Sequence, residues 1–281
     1  MRWMSFEKGG RASYGVVVGD GVIDVGLRRP EQRTLKELLA TGQLDNAGTE
    51  ALKRQPDHAL KNVRFLPVIT DPDKILCVGI NYKAHQEETG RQPTSHPTIF
   101  VRFANAQVGH EQPMIRPLES ERLDYEGEIA LVIGKPGRRI AVADALDHIA
   151  GFSCYNDGSV RDYQRHTTQF TPGKNFVGTG GFGPWMMTPD EVGDLSAMEV
   201  STRLNGETMQ RATASLLIFG FAEIIAYCSI FTELAPGDVI VTGTPGGVGA
   251  ARTPPVFMKE GDVVEVEVKP IGVLRNGIAV G

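Results

Sequence analysis

Along this chain apolar positions fall mostly into short runs or strict alternation, and sustained helical periodicity is rare. Between residues 13 and 25 the runs Tyr14-Gly-Val-Val-Val18 and Val22-Ile-Asp-Val25 flank Gly19-Asp20-Gly21, which predicts a β-hairpin with a glycine-rich turn. Leu35, Leu38 and Leu39 stand at helical spacing behind Thr34, with Glu37 three residues on, so a short helix with a capping box is predicted over 34–40. Residues 41–62 are polar, hold Pro56 and show no period. From Val63 the pattern becomes strand-like, and a domain boundary is placed near Thr70, separating a small α+β region, 1–69, from 70–281.

Beyond that boundary, strands are predicted at 74–78, 98–103, 128–133, 151–156, 199–204, 238–242 and 262–269, most of them short and β-branched. Val264-Glu265-Val266-Glu267-Val268 alternates strictly, as expected of a strand with one buried and one wet face. Helices are expected only at 142–149 and 215–231. The second is apolar but spans only about 17 residues and contains Glu223 and Tyr227, so it reads as a core helix and not a membrane span. Many short strands against few helices predict a β-rich α+β fold with an antiparallel or mixed sheet, in preference to a doubly wound one.

Composition narrows the function classes. With 281 residues, 33 Gly and 17 Pro, the chain can bury a large core but is punctuated too often for a helical bundle. A net charge of -5 and the lack of any Lys/Arg run argue against a nucleic-acid partner. Cys77, Cys154 and Cys228 lie far apart among apolar neighbours, which suits reduced core residues and gives no zinc or redox pair. The first ten residues lack an apolar stretch of the signal-peptide kind, so a cytoplasmic protein is expected.

The chemistry concentrates in acidic residues at strand ends. Asp124-Tyr125-Glu126-Gly127-Glu128 runs into an apolar strand, and a period of two puts Glu126 and Glu128 on one face. Two carboxylates aimed alike repel unless a cation or protons intervene, so either a hard-metal site or a solvated strand edge explains them. Asp157, at the end of the strand 151–156, offers a third oxygen ligand; such a set suits Mg²⁺ or Mn²⁺, with Ca²⁺ a further hard cation of the class. His85 and Glu88, three apart, share one face of a helical turn, where the carboxylate can orient the imidazole or the two can form an ordinary surface pair. Arg161 and Gln164 have the same spacing and can grip a carboxylate or orient water. Gly178-Thr-Gly180-Gly-Phe-Gly183 fits a dinucleotide fingerprint in letters only, because Pro184 and Pro189 follow and no amphipathic helix does.

Five motifs together resemble the fumarylacetoacetate hydrolase family: Ile75-Leu-Cys-Val-Gly-Ile-Asn-Tyr82 with His85 and Glu88; Glu126-Gly-Glu128; Asp157-Gly-Ser-Val-Arg161-Asp-Tyr-Gln164; Gly173-Lys174-Asn-Phe; and Thr242-Gly-Thr244-Pro-Gly-Gly-Val-Gly249. They cover residues 71–280. The resemblance implies a mixed β-roll catalytic domain behind a smaller N-terminal domain, in a homodimer. It also implies metal ligation by Glu126, Glu128 and Asp157, and a catalytic His85–Glu88 dyad on a mobile segment, 82–97, that activates water. Lys174, which in an ordinary loop would be solvated, is aimed by the resemblance at the reacting carbonyl. Tyr82, Arg161, Gln164, Thr244 and Arg102 are assigned to substrate; Arg102 stands where many relatives carry Lys. The expected activity is metal-dependent cleavage of a carbon–carbon bond in a 2,4-diketo acid or acylpyruvate, releasing pyruvate or an analogue. Alternatives are decarboxylation of a β-keto diacid such as oxaloacetate, isomerisation or hydration of a ring-cleavage keto acid and, from a different class, a noncatalytic metal-binding scaffold.

Overall fold

The apolar run after Glu128 becomes the strand Gly127–Ile133, buried along its whole length at the centre of a twelve-stranded sheet, in a computed structural model that describes residues 1–281. Ile129, Leu131 and Ile133 pack in one core with Val200, Val266, Val268 and Leu274 of a second, five-stranded sheet. Ala130 and Val132 pack in another, with Trp3, Tyr14, Val16, Leu35 and Leu38. Successive side chains of a strand point to opposite faces, so burial on both explains why this run is continuously apolar.

In hydrogen-bonded order the large sheet runs His58–Ala59, Gly21–Asp24, Arg11–Val18, Arg2–Lys8, Gly180–Met187, Ile149–Asn156, Gly127–Ile133, Val239–Val241, Ile75–Gly79 and Thr98–Arg102. Only Val239–Val241 and Ile75–Gly79 pair in parallel along this path. The second sheet runs Glu207–Thr213, Glu199–Leu204, Val263–Lys269, Gly272–Val280 and Met114–Arg116. All seven strands expected beyond residue 70 form, and the fold is the β-rich α+β one. Strict alternation in Val263–Lys269 has its expected result: Val264, Val266 and Val268 are buried, while Glu265 and Glu267 pair with Arg203 on the other face. The large sheet continues across residue 70, since Arg2–Lys8 pairs with Gly180–Met187 and one core joins Trp3 and Tyr14 to Tyr155, Val239 and Val241.

Several elements depart from expectation. Residues 142–149 form no α-helix but a 3-10 stretch, Val142–His148, which buries Ala145 and His148 at the three-residue spacing of that geometry. The helix expected at 215–231 starts only at Phe221, where the Glu223 carboxylate accepts the Gly220 N–H at 2.7 Å, and ends at Phe231. Leu44–Ala51 is helical, hidden in sequence because its buried face is Ala47, Gly48 and Ala51. At the 34–40 helix Thr34 accepts the Glu37 N–H, but Glu37 reaches back to the N–H of Arg33, so only half the capping box forms. The glycine-rich stretch 178–183 leads into Gly180–Met187, a buried strand with no dinucleotide helix after it. No helix is long and apolar enough to cross a membrane.

Candidate active site

Sheet register assembles the carboxylates. Gly127 is opposite Asn156, so the residues just outside the ladder, Glu126 and Asp157, become neighbours: the Asp157 N–H donates to the Glu126 carbonyl at 2.8 Å, and the Glu126 N–H donates to Asn156 Oδ1 at 3.0 Å. Glu128 follows on the same face. Ligand atoms of Glu126, Glu128 and Asp157 all lie within 4.8 Å of one another, and all three residues are buried. Gly127 between the glutamates must lack a side chain, because a Cβ there would stand 2.0 Å from Thr202 Oγ1.

Three buried cations surround this cluster. Lys174 Nζ donates to Glu126 Oε2 at 2.8 Å and to Asp157 Oδ2 at 2.5 Å. It gets this close because Gly173 lets the turn Thr171–Lys174 press on Gln164, where a Cβ would meet the Gln164 backbone nitrogen at 2.4 Å. Arg161 donates through Nε to Asp124 Oδ2 at 2.7 Å, pairs through Nη1 with Glu126 Oε1 at 2.6 Å, and leaves Nη2 buried without a partner. Arg102 donates to Asp157 Oδ1, to the Gly158 carbonyl at 2.9 Å and to Thr179 Oγ1 at 2.9 Å.

Four carboxylates, counting Asp124, thus face three cations, and the surplus negative charge falls on Glu128. Burial would raise the Glu126 carboxyl, but Lys174 and Arg161 hold it far below the usual carboxylate range. Burial, Asp157 and Glu126 push Glu128 well above that range, opposed only in part by Lys174 and the Gly243 N–H that its carboxylate accepts. A buried, oxygen-only donor set with surplus negative charge fits a hard divalent cation, so the chemistry of these residues agrees with the metal expected from sequence.

A cavity of about 490 Å³ is lined by Glu126, Glu128, Arg161, Gln164, Lys174 and Thr244, among others. The helix Lys83–Thr89 closes one side. There His85 Nδ1 lies 2.7 Å from Glu88 Oε1, and Glu88 Oε2 accepts the Gly247 N–H at 2.8 Å. Burial works to raise Glu88, but its bonds to His85 and Gly247 prevail and keep its carboxyl below the ordinary value. The dyad is therefore docked on the glycine-rich turn after Thr242.

Two expected substrate contacts do not reach the cavity. Arg102 stands behind Asp157, its side chain wholly buried, and acts on the carboxylate instead. Tyr82 is buried at the start of the helix Lys83–Thr89, its hydroxyl without a partner, and it too does not line the cavity. Thr244 does line it, although its hydroxyl is engaged by the Gly127 carbonyl and Gln210.

Sequence reasoning passed over two residues. Gln210, from the second sheet, accepts from the Gly127 N–H and Thr202, and donates to Thr244 and the Pro245 carbonyl. Nothing in the alternation of Glu207–Thr213 marks it out, because its partners are remote in sequence. Asp124 accepts from Arg161 and from the N–H groups of Gly249 and Ala250, tying the first glutamate's strand to the last motif. Its place two residues before Glu126 in an acidic run was the available signal.

Comparison with known proteins places the chain in a family. The family model for the fumarylacetoacetate (FAA) hydrolase C-terminal region matches residues 74–279. The chain is 41% identical over 265 residues to a mitochondrial oxaloacetate tautomerase of Bos taurus, covering 92% of this chain and 84% of the relative. Among solved structures, fumarylacetoacetate hydrolase from the psychrophile Exiguobacterium antarcticum has a TM-score of 0.85 at 33% identity over 100% of both chains. Maleylpyruvate hydrolase from Sphingobium sp. SYK-6, in complex with manganese(II) ion and pyruvate, has a TM-score of 0.84 at 26% identity, also over 100% of both. By sequence, fold and family model alike, this chain belongs to the fumarylacetoacetate hydrolase family.

Proposed function

We propose that this chain is a divalent-metal-dependent enzyme that interconverts the keto and enol forms of a small 2-keto diacid, with oxaloacetate as its substrate. The observation that carries this reading is the 41% identity to an oxaloacetate tautomerase across 92% of the chain. It moves the emphasis away from the carbon–carbon hydrolysis expected from sequence.

Tautomerisation needs one proton taken from C3 and one delivered to the C2 oxygen, with the C–H electron pair becoming the C2–C3 double bond. His85 is the residue suited to that transfer. With its Nδ1 proton directed at Glu88, Nε2 presents a lone pair, and Glu88 is held in turn by Gly247. His85 Nε2 takes the C3 proton and passes that same proton to the C2 oxygen, so the dyad ends as it began. Arg161 Nη2 is a donor without a protein partner and receives the carboxylate beside the ketone, with Gln164 alongside. Glu126, Glu128 and Asp157 are the residues that would hold Mg²⁺ or Mn²⁺, and a bound divalent cation supplies positive charge that stabilises the charge developing on the substrate.

Following the enol absorbance of oxaloacetate with Mg²⁺ or Mn²⁺ tests this. The protein should speed equilibration, and His85→Ala should lower kcat by about 10²–10⁴-fold. Acylpyruvate hydrolysis is the second reading, favoured by the structural likeness to maleylpyruvate hydrolase. Protein that leaves oxaloacetate at its solution rate but cleaves an acylpyruvate would establish that reading and overturn the first.

A further inference from the structure

Four permanently cationic side chains line the cavity: Arg91, Arg161, Arg165 and Lys174. Lys174 is neutralised by Glu126 and Asp157, and Arg161 by Asp124 and Glu126. Arg91 and Arg165 have no carboxylate partner, and both are exposed at the mouth. Arg91 follows Gly90, whose φ of 66° ends the helix that carries His85 and Glu88. Arg165 ends the helical turn that carries Arg161 and Gln164. Each free cation is thus fixed to an element that also bears a site residue.

Between mouth and floor runs an aromatic wall. The Arg91 guanidinium carbon is 6.0 Å from the centre of the Phe170 ring, Phe170 meets Phe100 edge-on at 5.7 Å, and Lys174 Nζ lies 5.0 Å from the Phe100 centre. The two rings offer no charge to the middle of a bound molecule and leave polar recognition to its ends.

We propose that Arg91 and Arg165 form a second anion subsite, which grips the distal carboxylate of a 2-keto diacid whose keto-acid end lies at Glu126, Glu128 and Asp157. The proposal rests on the 2-keto acid reading of the cavity and adds the residues that select a diacid over a monoacid. A dianion entering this cavity meets three carboxylates; two unpaired guanidinium groups at the mouth offset that repulsion, and their N–H forks match carboxylate geometry. A monoacid leaves both forks in water and gains nothing from them.

The test uses the full chain loaded with Mn²⁺, oxaloacetate as substrate and 2-oxobutanoate, which has a methyl group in place of the distal carboxylate, as competitor. Arg91→Ala and Arg165→Ala should each raise the KM for oxaloacetate about tenfold, as expected for a lost charged hydrogen bond. The kcat and the Ki for 2-oxobutanoate should stay within about twofold. An unchanged KM, or equal weakening of both ligands, would overturn the subsite. If the unaltered protein does not tautomerise oxaloacetate, calorimetric binding of 2-oxoglutarate against 2-oxopentanoate separates the two ideas. A diacid preference that the double variant abolishes keeps the subsite while the tautomerase reading fails, and the lack of any preference removes the subsite.

Discussion

Lys174 shows how far a residue's role depends on its neighbours. In sequence it is a loop lysine after Pro172-Gly173; in the fold it is buried between Glu126 and Asp157, where burial works to lower its pKa and the two carboxylates more than reverse that. Removing one partner of such a buried group leaves charge uncompensated, so Lys174→Met should destabilise the chelator-treated protein by about 3–5 kcal/mol. A divalent cation held by Glu126, Glu128 and Asp157 would replace the missing charge, so Mg²⁺ or Mn²⁺ should raise the melting temperature of the variant more than that of the unaltered protein. Equal shifts in the two would show that Lys174 does not share charge with the cation's ligands. The carboxylates were legible because strand alternation and strand ends can be read locally. Arg102 was not: a strand over 98–103 is predicted, but that its end abuts the back of Asp157 depends on the order Thr98–Arg102, Ile75–Gly79, Val239–Val241 across the sheet.

Among elements, the hairpin expected over 13–25 forms with its glycine-rich turn, but Val18 pairs with Gly21, so the turn is only Gly19-Asp20, with Gly19 at positive φ, and Gly21 belongs to the strand. The arrangement of the chain beyond the hairpin could not be read, because its anchors are ion pairs between distant residues. Arg28 donates two hydrogen bonds of 2.7 Å to Asp57, and Asp57 also accepts the Asp24 N–H, clamping the strand Gly21–Asp24 to the segment before His58–Ala59. The bonds to Arg28 hold the Asp57 carboxyl below its ordinary range against the opposing effect of burial. A carboxyl lowered on folding contributes stability above its unfolded pKa, and that contribution disappears as pH falls through the lowered value. Because the pair is partly exposed, Asp57→Asn should cost only about 1 kcal/mol at pH 7, measured by urea unfolding. The gap should shrink as pH falls below the ordinary carboxylate range; a gap that stayed the same size under strongly acidic conditions would refute the clamp. Helix Leu44–Ala51 and strand Gly180–Met187 escaped notice for a different reason: Ala and Gly at close-packed positions carry little hydrophobic signal, even where they are buried.

At the scale of the whole molecule, residues 1–69 and 70–281 share a sheet and a core. Trp3, Tyr14, Val16 and Leu38 pack with Ala130, Val132, Tyr155 and Val239, and removing them would bare both that core and the unpaired edge of Gly180–Met187. A chain beginning at residue 70 should therefore lose its cooperative thermal transition or aggregate, whereas the full chain should melt in one step; a truncated protein with a sharp, native-like transition would show that the boundary near Thr70 separates independent units. The strand Gly127–Ile133 has a consequence of its own. It lies between two cores, so its amides should be among the last to exchange with solvent deuterium, and Glu126 and Glu128 stand at its very start. The acidic centre is thus mounted on a portion of the chain expected to open among the last. Substitutions at the rim, at exposed residues such as Arg91 and Arg165, should therefore leave the exchange protection of Gly127–Ile133 unchanged.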